Sequence, residues 1–249
     1  MTRVLVDVAL TPRDLADRDL AGHCAIVVDV LRATTSMVAA CDSGCVRIVP
    51  VESPEIARQR ARGAGDSVLV AGERDGEPIP GFDLGNSPRE FTRAAVAGRT
   101  VILTTTNGTR ALLAARAAEV VGVAALVNVD AVAEWAAGHP RVTVVCAGDR
   151  GELSLEDMVC AGVIVDRVAG REPGAVLTDA AAAARATGEL YGKQLDRLRE
   201  DSRWARRLVA RGHGADVSVC FALGVSTQVP HMIGTDVVPG PPSRSEGIP

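Results

Sequence analysis

Residues 24–37, CAIVVDVLRATTSM, constrain the fold more than any other stretch of the chain. Five apolar residues run into Asp29, and Val30, Leu31 and Arg32 follow before the hydroxyl cluster Thr34, Thr35 and Ser36. An apolar run without alternation suits a strand buried on both faces, as in a parallel sheet. Hydroxyls followed by Met37, Val38, Ala39 and Ala40 predict a helix start with a Ser/Thr cap. A carboxylate and an arginine then stand at the carboxyl end of a strand, facing the positive end of a helix. Open α/β sheets bind ligands, and anions above all, at that place. The plain alternative is an ion pair at a strand end.

The remaining chain repeats this alternation. Strands are predicted at 4–10, 46–51, 68–71, 100–103, 120–127 and 141–146, and helices at 53–62, 111–117, about 130–137 and from 154 onward. Residues 178–211 read as a nearly continuous helical cover broken near Gly188, and 216–223 as a last helix. The expectation is an α/β fold with a mostly parallel or mixed sheet, as one domain over 1–236 with a disordered tail over 237–249. Segment 72–88, GERDGEPIPGFDLGNSP, holds four Gly and three Pro and reads as a long irregular loop. Such loops inside compact domains are usually functional. Within it, Ser87 and Pro88 predict a helix cap and first turn.

Two further strand ends carry chemistry. Residues 104–110, TTTNGTR, join a strand to a helix through hydroxyls and a glycine, which presents N–H and O–H groups to an anion. Neither the spacing nor the lysine of a Walker loop is present; Lys193 is the only lysine among 27 basic residues, so phosphate contacts fall to arginine. After residues 141–146, Ser154 and Asp157 resemble a capping box. Glu156 and Asp157 are then either dipole partners of the helix or reach a metal at the sheet edge.

Composition excludes several classes. Aromatic residues make up 2% and the net charge is -4, which leaves little for nucleic-acid stacking or phosphate-backbone binding. No apolar run reaches the roughly 18 residues of a membrane span, and no signal peptide heads the chain. Six cysteines without a CxxC pair read as reduced, buried thiols of a cytoplasmic protein. The four histidines are isolated and follow no zinc-ligand spacing. What the strand ends offer is Asp29, Glu73, Asp83 and Asp157 as hard oxygen ligands, beside Arg32, Arg74, Arg110 and the threonines. That set suits Mg²⁺ with a small anionic phosphoester, and metal-assisted phosphoryl transfer to water.

Six ordered motifs, DVLRATTS (29–36), GER (72–74), GFDLGNSP (81–88), TTTNGTRAL (104–112), CAG (146–148) and LEDMVCAG (155–162), resemble the 2-phosphosulfolactate phosphatase family. The resemblance implies a three-layer α/β/α sandwich and a Mg²⁺-dependent acid phosphatase of 2-hydroxy-acid phosphates. Its named reaction takes 2-phosphosulfolactate to 3-sulfolactate and phosphate in the coenzyme M route. Carried over by motif are Asp29, Arg32, Thr34, Glu73, Arg74, Asp83, Asn86, Thr105, Asn107, Thr109, Glu156 and Asp157. In this reading Asp29, Glu73 and Asp157 hold Mg²⁺. Arg32 and the turn with Thr105, Thr106, Asn107, Gly108, Thr109 and Arg110 grip the phosphate, and Arg74 or Arg110 pairs with the sulfonate or carboxylate. Gly224 departs from the aspartate that the family tends to place four residues after the late cysteine. Alternatives are a phosphatase of another small phosphoester and a non-catalytic anion binder; a homodimer is compatible with the sequence.

Overall fold

The structure is a computed structural model that describes residues 3–16 and 18–240. Its eleven strands are β1 (Leu5–Ala9), β2 (Cys24–Val28), β3 (Arg47–Pro50), β4 (Val68–Arg74), β5 (Glu77–Pro78), β6 (Thr100–Thr104), β7 (Val120–Ala124), β8 (Arg141–Cys146), β9 (Val176–Leu177), β10 (His231–Ile233) and β11 (Asp236–Val238). They form one sheet in the order β5-β4-β6-β3-β11-β10-β7-β2-β8-β1-β9. On one side of the β10–β11 hairpin, β7, β2, β8, β1 and β9 run parallel. On the other, β3, β6 and β4 run parallel, with β5 folded back on β4. The hairpin joins these halves by antiparallel pairing on both sides, so the sheet is mixed.

The helices are α1 (Ala33–Asp42), α2 (Pro54–Ala61), α3 (Arg93–Val96), α4 (Gly108–Ala115), α5 (Val129–Ala136), α6 (Leu155–Arg171), α7 (Asp179–Tyr191), α8 (Leu195–Asp201), α9 (Arg203–Ala210) and α10 (Gly214–Cys220). The unbroken apolar run in β2 is explained by burial on both faces. Cys24, Ile26 and Val28 join a core with α5, α6, α7, α9 and α10. Ala25 and Val27 join a second core with α1 and α4, which also takes Ile48, Val101 and Leu103 from the other half-sheet. Helices therefore cover both faces, in the α/β layering expected.

Several local expectations fail for identifiable reasons. Residues 72–88 are not wholly irregular, because β4 continues through Gly72 to Arg74 and turns into β5. Gly72 permits this: a Cβ there would lie 2.2 Å from the Thr104 carbonyl oxygen on the neighbouring strand. No helix starts at Ser87, whose hydroxyl donates instead to Asp216 Oδ1 at 2.7 Å; the next helix waits for Thr92, which caps α3. The break expected near Gly188 falls at 192–194, since Gly188 lies inside α7 where its backbone meets Gly162 of α6. The domain boundary drawn after residue 236 runs through β11, whose Val237 is buried, while 241–249 lie outside the described residues.

Candidate active site

The loops after β2, β4, β6 and β8 meet at one cleft that opens to solvent. Asp29 stands just past β2 and is 7% exposed. Its Oδ1 accepts the Ala33 N–H at 3.2 Å, and its Oδ2 lies where a Cβ on Gly108 would come within 2.6 Å. Only glycine at the start of α4 lets the β6 turn come this close to the carboxylate. The predicted Ser/Thr cap does not form, because Arg32 occupies the cap position and makes no side-chain cap bond. Thr34, already inside the first turn, reaches back: its Oγ1 accepts the Asp29 N–H at 2.9 Å and donates to the Asp29 carbonyl at 2.8 Å. The hydroxyls thus lock the strand-to-helix corner, and Thr34 positions Asp29.

Glu73, at the end of β4, is also buried. Its Oε1 accepts the Thr106 N–H at 2.6 Å, and its Oε2 accepts the Gly76 N–H at 2.6 Å and the Thr106 hydroxyl at 3.1 Å. Glu73 therefore stitches the β4–β5 turn to the turn after β6. Within that second turn, Thr105 Oγ1 accepts the Thr109 N–H at 3.1 Å while Thr109 Oγ1 accepts the Thr105 N–H at 3.2 Å. Thr105 and Thr109 fix the loop's shape, leaving Thr106 and Asn107 to line the cleft.

Arg32 is buried against Asp216 of α10, with Nη1 donating to Oδ2 at 2.6 Å and Nη2 donating to the Gly76 carbonyl at 2.5 Å. These contacts use two of a guanidinium's five N–H donors. Asn86 also lines the cleft, and its buried Oδ1 has no hydrogen-bond partner. Asp157 opens α6 but is not a capping-box residue. Its Oδ1 accepts the Val30 N–H at 2.8 Å and its Oδ2 the Gly148 N–H at 3.1 Å, which ties the β2 and β8 loops together. With Asp29, Asn107 and Glu156 it lines a smaller adjoining hollow.

Electrostatically the site is overloaded with negative charge. Burial, then the charges of Glu73 and Glu156, push the Asp29 carboxyl up to about 7. Burial raises Asp157 well above the carboxylate range, with Asp29 and Glu156 adding to it, and burial raises Glu156 against the opposing Ser202 hydroxyl. Asp29, Glu73 and Asn107 are thus brought together, with Asp157 directly behind. Among the described residues, however, no three His, Cys, Asp or Glu side chains are arranged as a metal centre, so the expected Asp29–Glu73–Asp157 triad is not preformed. Both oxygens of Asp157 are already held by backbone amides.

Three predicted anion or substrate contacts lie elsewhere. Arg74 turns away to the Glu73 carbonyl at 2.7 Å and the Thr104 hydroxyl at 2.9 Å. Asp83 is exposed and accepts the Val70 N–H at 2.7 Å, pinning its own loop. Arg110 is exposed on α4, two residues past the glycine that faces Asp29, and does not line the cleft. The cleft walls missed by sequence reasoning are Asp75, Asp149, Arg150 and Trp204. Trp204 Nε1 donates to the Leu31 carbonyl at 2.9 Å, which brings the helical cover onto the site. One of two tryptophans in an aromatic-poor chain was the available signal for it.

A family model described as 2-phosphosulpholactate phosphatase matches residues 9–234. A protein of Symbiobacterium thermophilum named "probable 2-phosphosulfolactate phosphatase" is 42% identical over 214 residues, covering 85% of this chain and 92% of that protein. A protein of the same name from Thermotoga maritima is 34% identical over 229 residues, covering 92% and 96%. Another, from Clostridium acetobutylicum, is 38% identical over 181 residues, covering 72% and 77%.

Proposed function

The chain belongs to the 2-phosphosulpholactate phosphatase family, and from that premise we propose that it hydrolyses 2-phosphosulfolactate to 3-sulfolactate and inorganic phosphate, with Mg²⁺ as cofactor. The observation that carries this reading is the meeting of Asp29, Glu73, Asn107 and Arg32 in one cleft at the strand ends. Hydrolysis breaks the ester bond to phosphorus; the water's hydroxyl stays on phosphate and its proton ends on the 2-hydroxyl of the product.

The residues fit a cation. Buried carboxylates here raise one another's proton affinity, the mark of negative charge without enough neutralisation. Mg²⁺ needs only one or two carboxylates, completing its octahedron with waters and a substrate phosphate. Asp29, whose Oδ2 accepts no backbone amide, would hold it, with Glu73 fixing the turns after β4 and β6 and Asp157 those after β2 and β8 around it. When bound, the ion neutralises charge that builds on the phosphoryl oxygens. Arg32, kept rigid by Asp216 and the Gly76 carbonyl, directs its remaining donors at the phosphate. Asn107, Thr106 and Asn86 line the approach, and Asn86 Oδ1 is free to accept a hydrogen bond there.

A cytoplasmic location is part of the proposal, supported by six buried free thiols. Among the described residues no helix is long and apolar enough to cross a membrane. The deciding experiment measures phosphate released from 2-phosphosulfolactate by the purified protein with Mg²⁺, with chelator, and after Mg²⁺ is restored. Release that chelator stops and Mg²⁺ restores is expected; no release by folded, Mg²⁺-supplied protein refutes the assignment.

A further inference from the structure

We propose that Arg150 receives one of the two anionic groups, sulfonate and carboxylate, that the substrate carries beside its phosphate ester, and that Asp75 holds its guanidinium ready until substrate arrives. The inference deepens the proposed hydrolase reading and rests on it. A substrate that carries a carboxylate and a sulfonate beside its phosphate requires a cationic contact beyond the phosphate site, and of the described arginines only Arg32 and Arg150 line the cleft. Arg32 is buried at its floor and committed to Asp216. Arg150 stands at the mouth with its side chain 57% exposed, paired with Asp75, which is 54% exposed. An exposed pair of this kind contributes little stability, so an incoming anion can replace Asp75 at small cost.

The backbone around the pair is built to hold it in place. Asp75 and Arg150 are the only non-glycine residues among those described with positive φ, both at 55°. They sit on opposite walls, one in the β4–β5 turn and the other in the loop after β8. Each is followed by a glycine of positive φ in a two-residue turn, Asp75-Gly76 between the paired Arg74 and Glu77 and Arg150-Gly151 between the bridged Asp149 and Glu152, and turns of this kind require positive φ at both positions. Here the Arg150 N–H donates to Asn107 Oδ1 at 3.1 Å, tying the clamp to the phosphate turn, and Thr106 Oγ1 accepts the Asp75 N–H at 3.3 Å. Once displaced, Asp75 keeps cationic company, because Arg211 donates to its carbonyl.

Steady-state kinetics on 2-phosphosulfolactate and on isopropyl phosphate, which lacks both the carboxylate and the sulfonate, test the assignment. Arg150→Ala should lower the ratio of kcat/KM between the two substrates at least tenfold, mainly through KM, and Arg150→Lys should restore part of it. In calorimetric titrations the same variant should weaken 3-sulfolactate binding at least tenfold relative to inorganic phosphate. Asp75→Asn, which tolerates the same backbone conformation, should tighten 3-sulfolactate binding severalfold. An unchanged substrate ratio and unchanged relative binding, in an Arg150→Ala protein that melts like the parent, would overturn the proposal. If the parent protein turns over neither ester, the titrations still read Arg150, and only the hydrolase reading fails.

Discussion

Replacing Asp216 by Asn tests whether Arg32 owes its place to one buried charge. The two side chains are 3% and 4% exposed and meet at 2.6 Å, so water can supply little of the lost solvation. Asn keeps the shape and an oxygen for the Ser87 hydroxyl but removes the one carboxylate paired directly with the guanidinium. Breaking a buried pair by removing one partner costs about 3–5 kcal/mol. In a chain of this size each kcal/mol moves the melting point by about 2–4 °C, so a fall of about 6–20 °C is expected. Calorimetry on both proteins at pH 7 and equal salt measures it. Replacing both partners, as in Arg32→Leu with Asp216→Leu, should recover a large part of the loss while leaving the protein inactive. If Asp216→Asn melts within 2 °C of the parent, Arg32 is solvated through the cleft and its rigid placement has another origin.

Other expectations follow from the same geometry. In chelator, Asp29 has a folded pKa near 7 against an ordinary value near 4, so its contribution to stability is complete below about pH 4 and is lost as pH rises through 7. Melting curves should therefore fall between about pH 4 and 7, and Asp29→Asn should flatten that fall while abolishing phosphate release. Gly108→Ala would force a methyl within 2.6 Å of Asp29 Oδ2 and 2.5 Å of Ala33 Cβ; a loss of activity of about a hundredfold, well beyond its effect on melting, is expected. Arg110→Ala should change kcat/KM less than twofold, since that side chain faces solvent away from the cleft.

What could be read in the sequence were features with a local cause. The β2 and β8 strands announce themselves because burial on both faces demands unbroken apolar runs, and Asp29, Glu73 and Asn107 are visible because each ends or follows a strand. The hairpin at 231–238 escaped because its strands are three residues each and their pairing depends on partners more than a hundred residues away. Long-range partners also explain the misplaced arginines. Which guanidinium faces the cleft is decided by Asp216, 184 residues from Arg32, and by Asp75, 75 residues from Arg150, and no local spacing encodes either distance. Threonines whose hydroxyls turn back on the backbone look, in sequence, the same as threonines that meet a ligand.

The hairpin at the centre of the sheet has a consequence for how the protein is made. Its Val237 is bridged to Ile48, and its His231 to Gly122, so a segment far along the chain from both partners joins two half-built sheets when it docks. Until then β3 and β7 present open edges in a nascent chain, the condition under which strands pair with the wrong neighbour. Completion of the fold must therefore wait for this hairpin, and a chain lacking the strand pair would leave the seam unsewn.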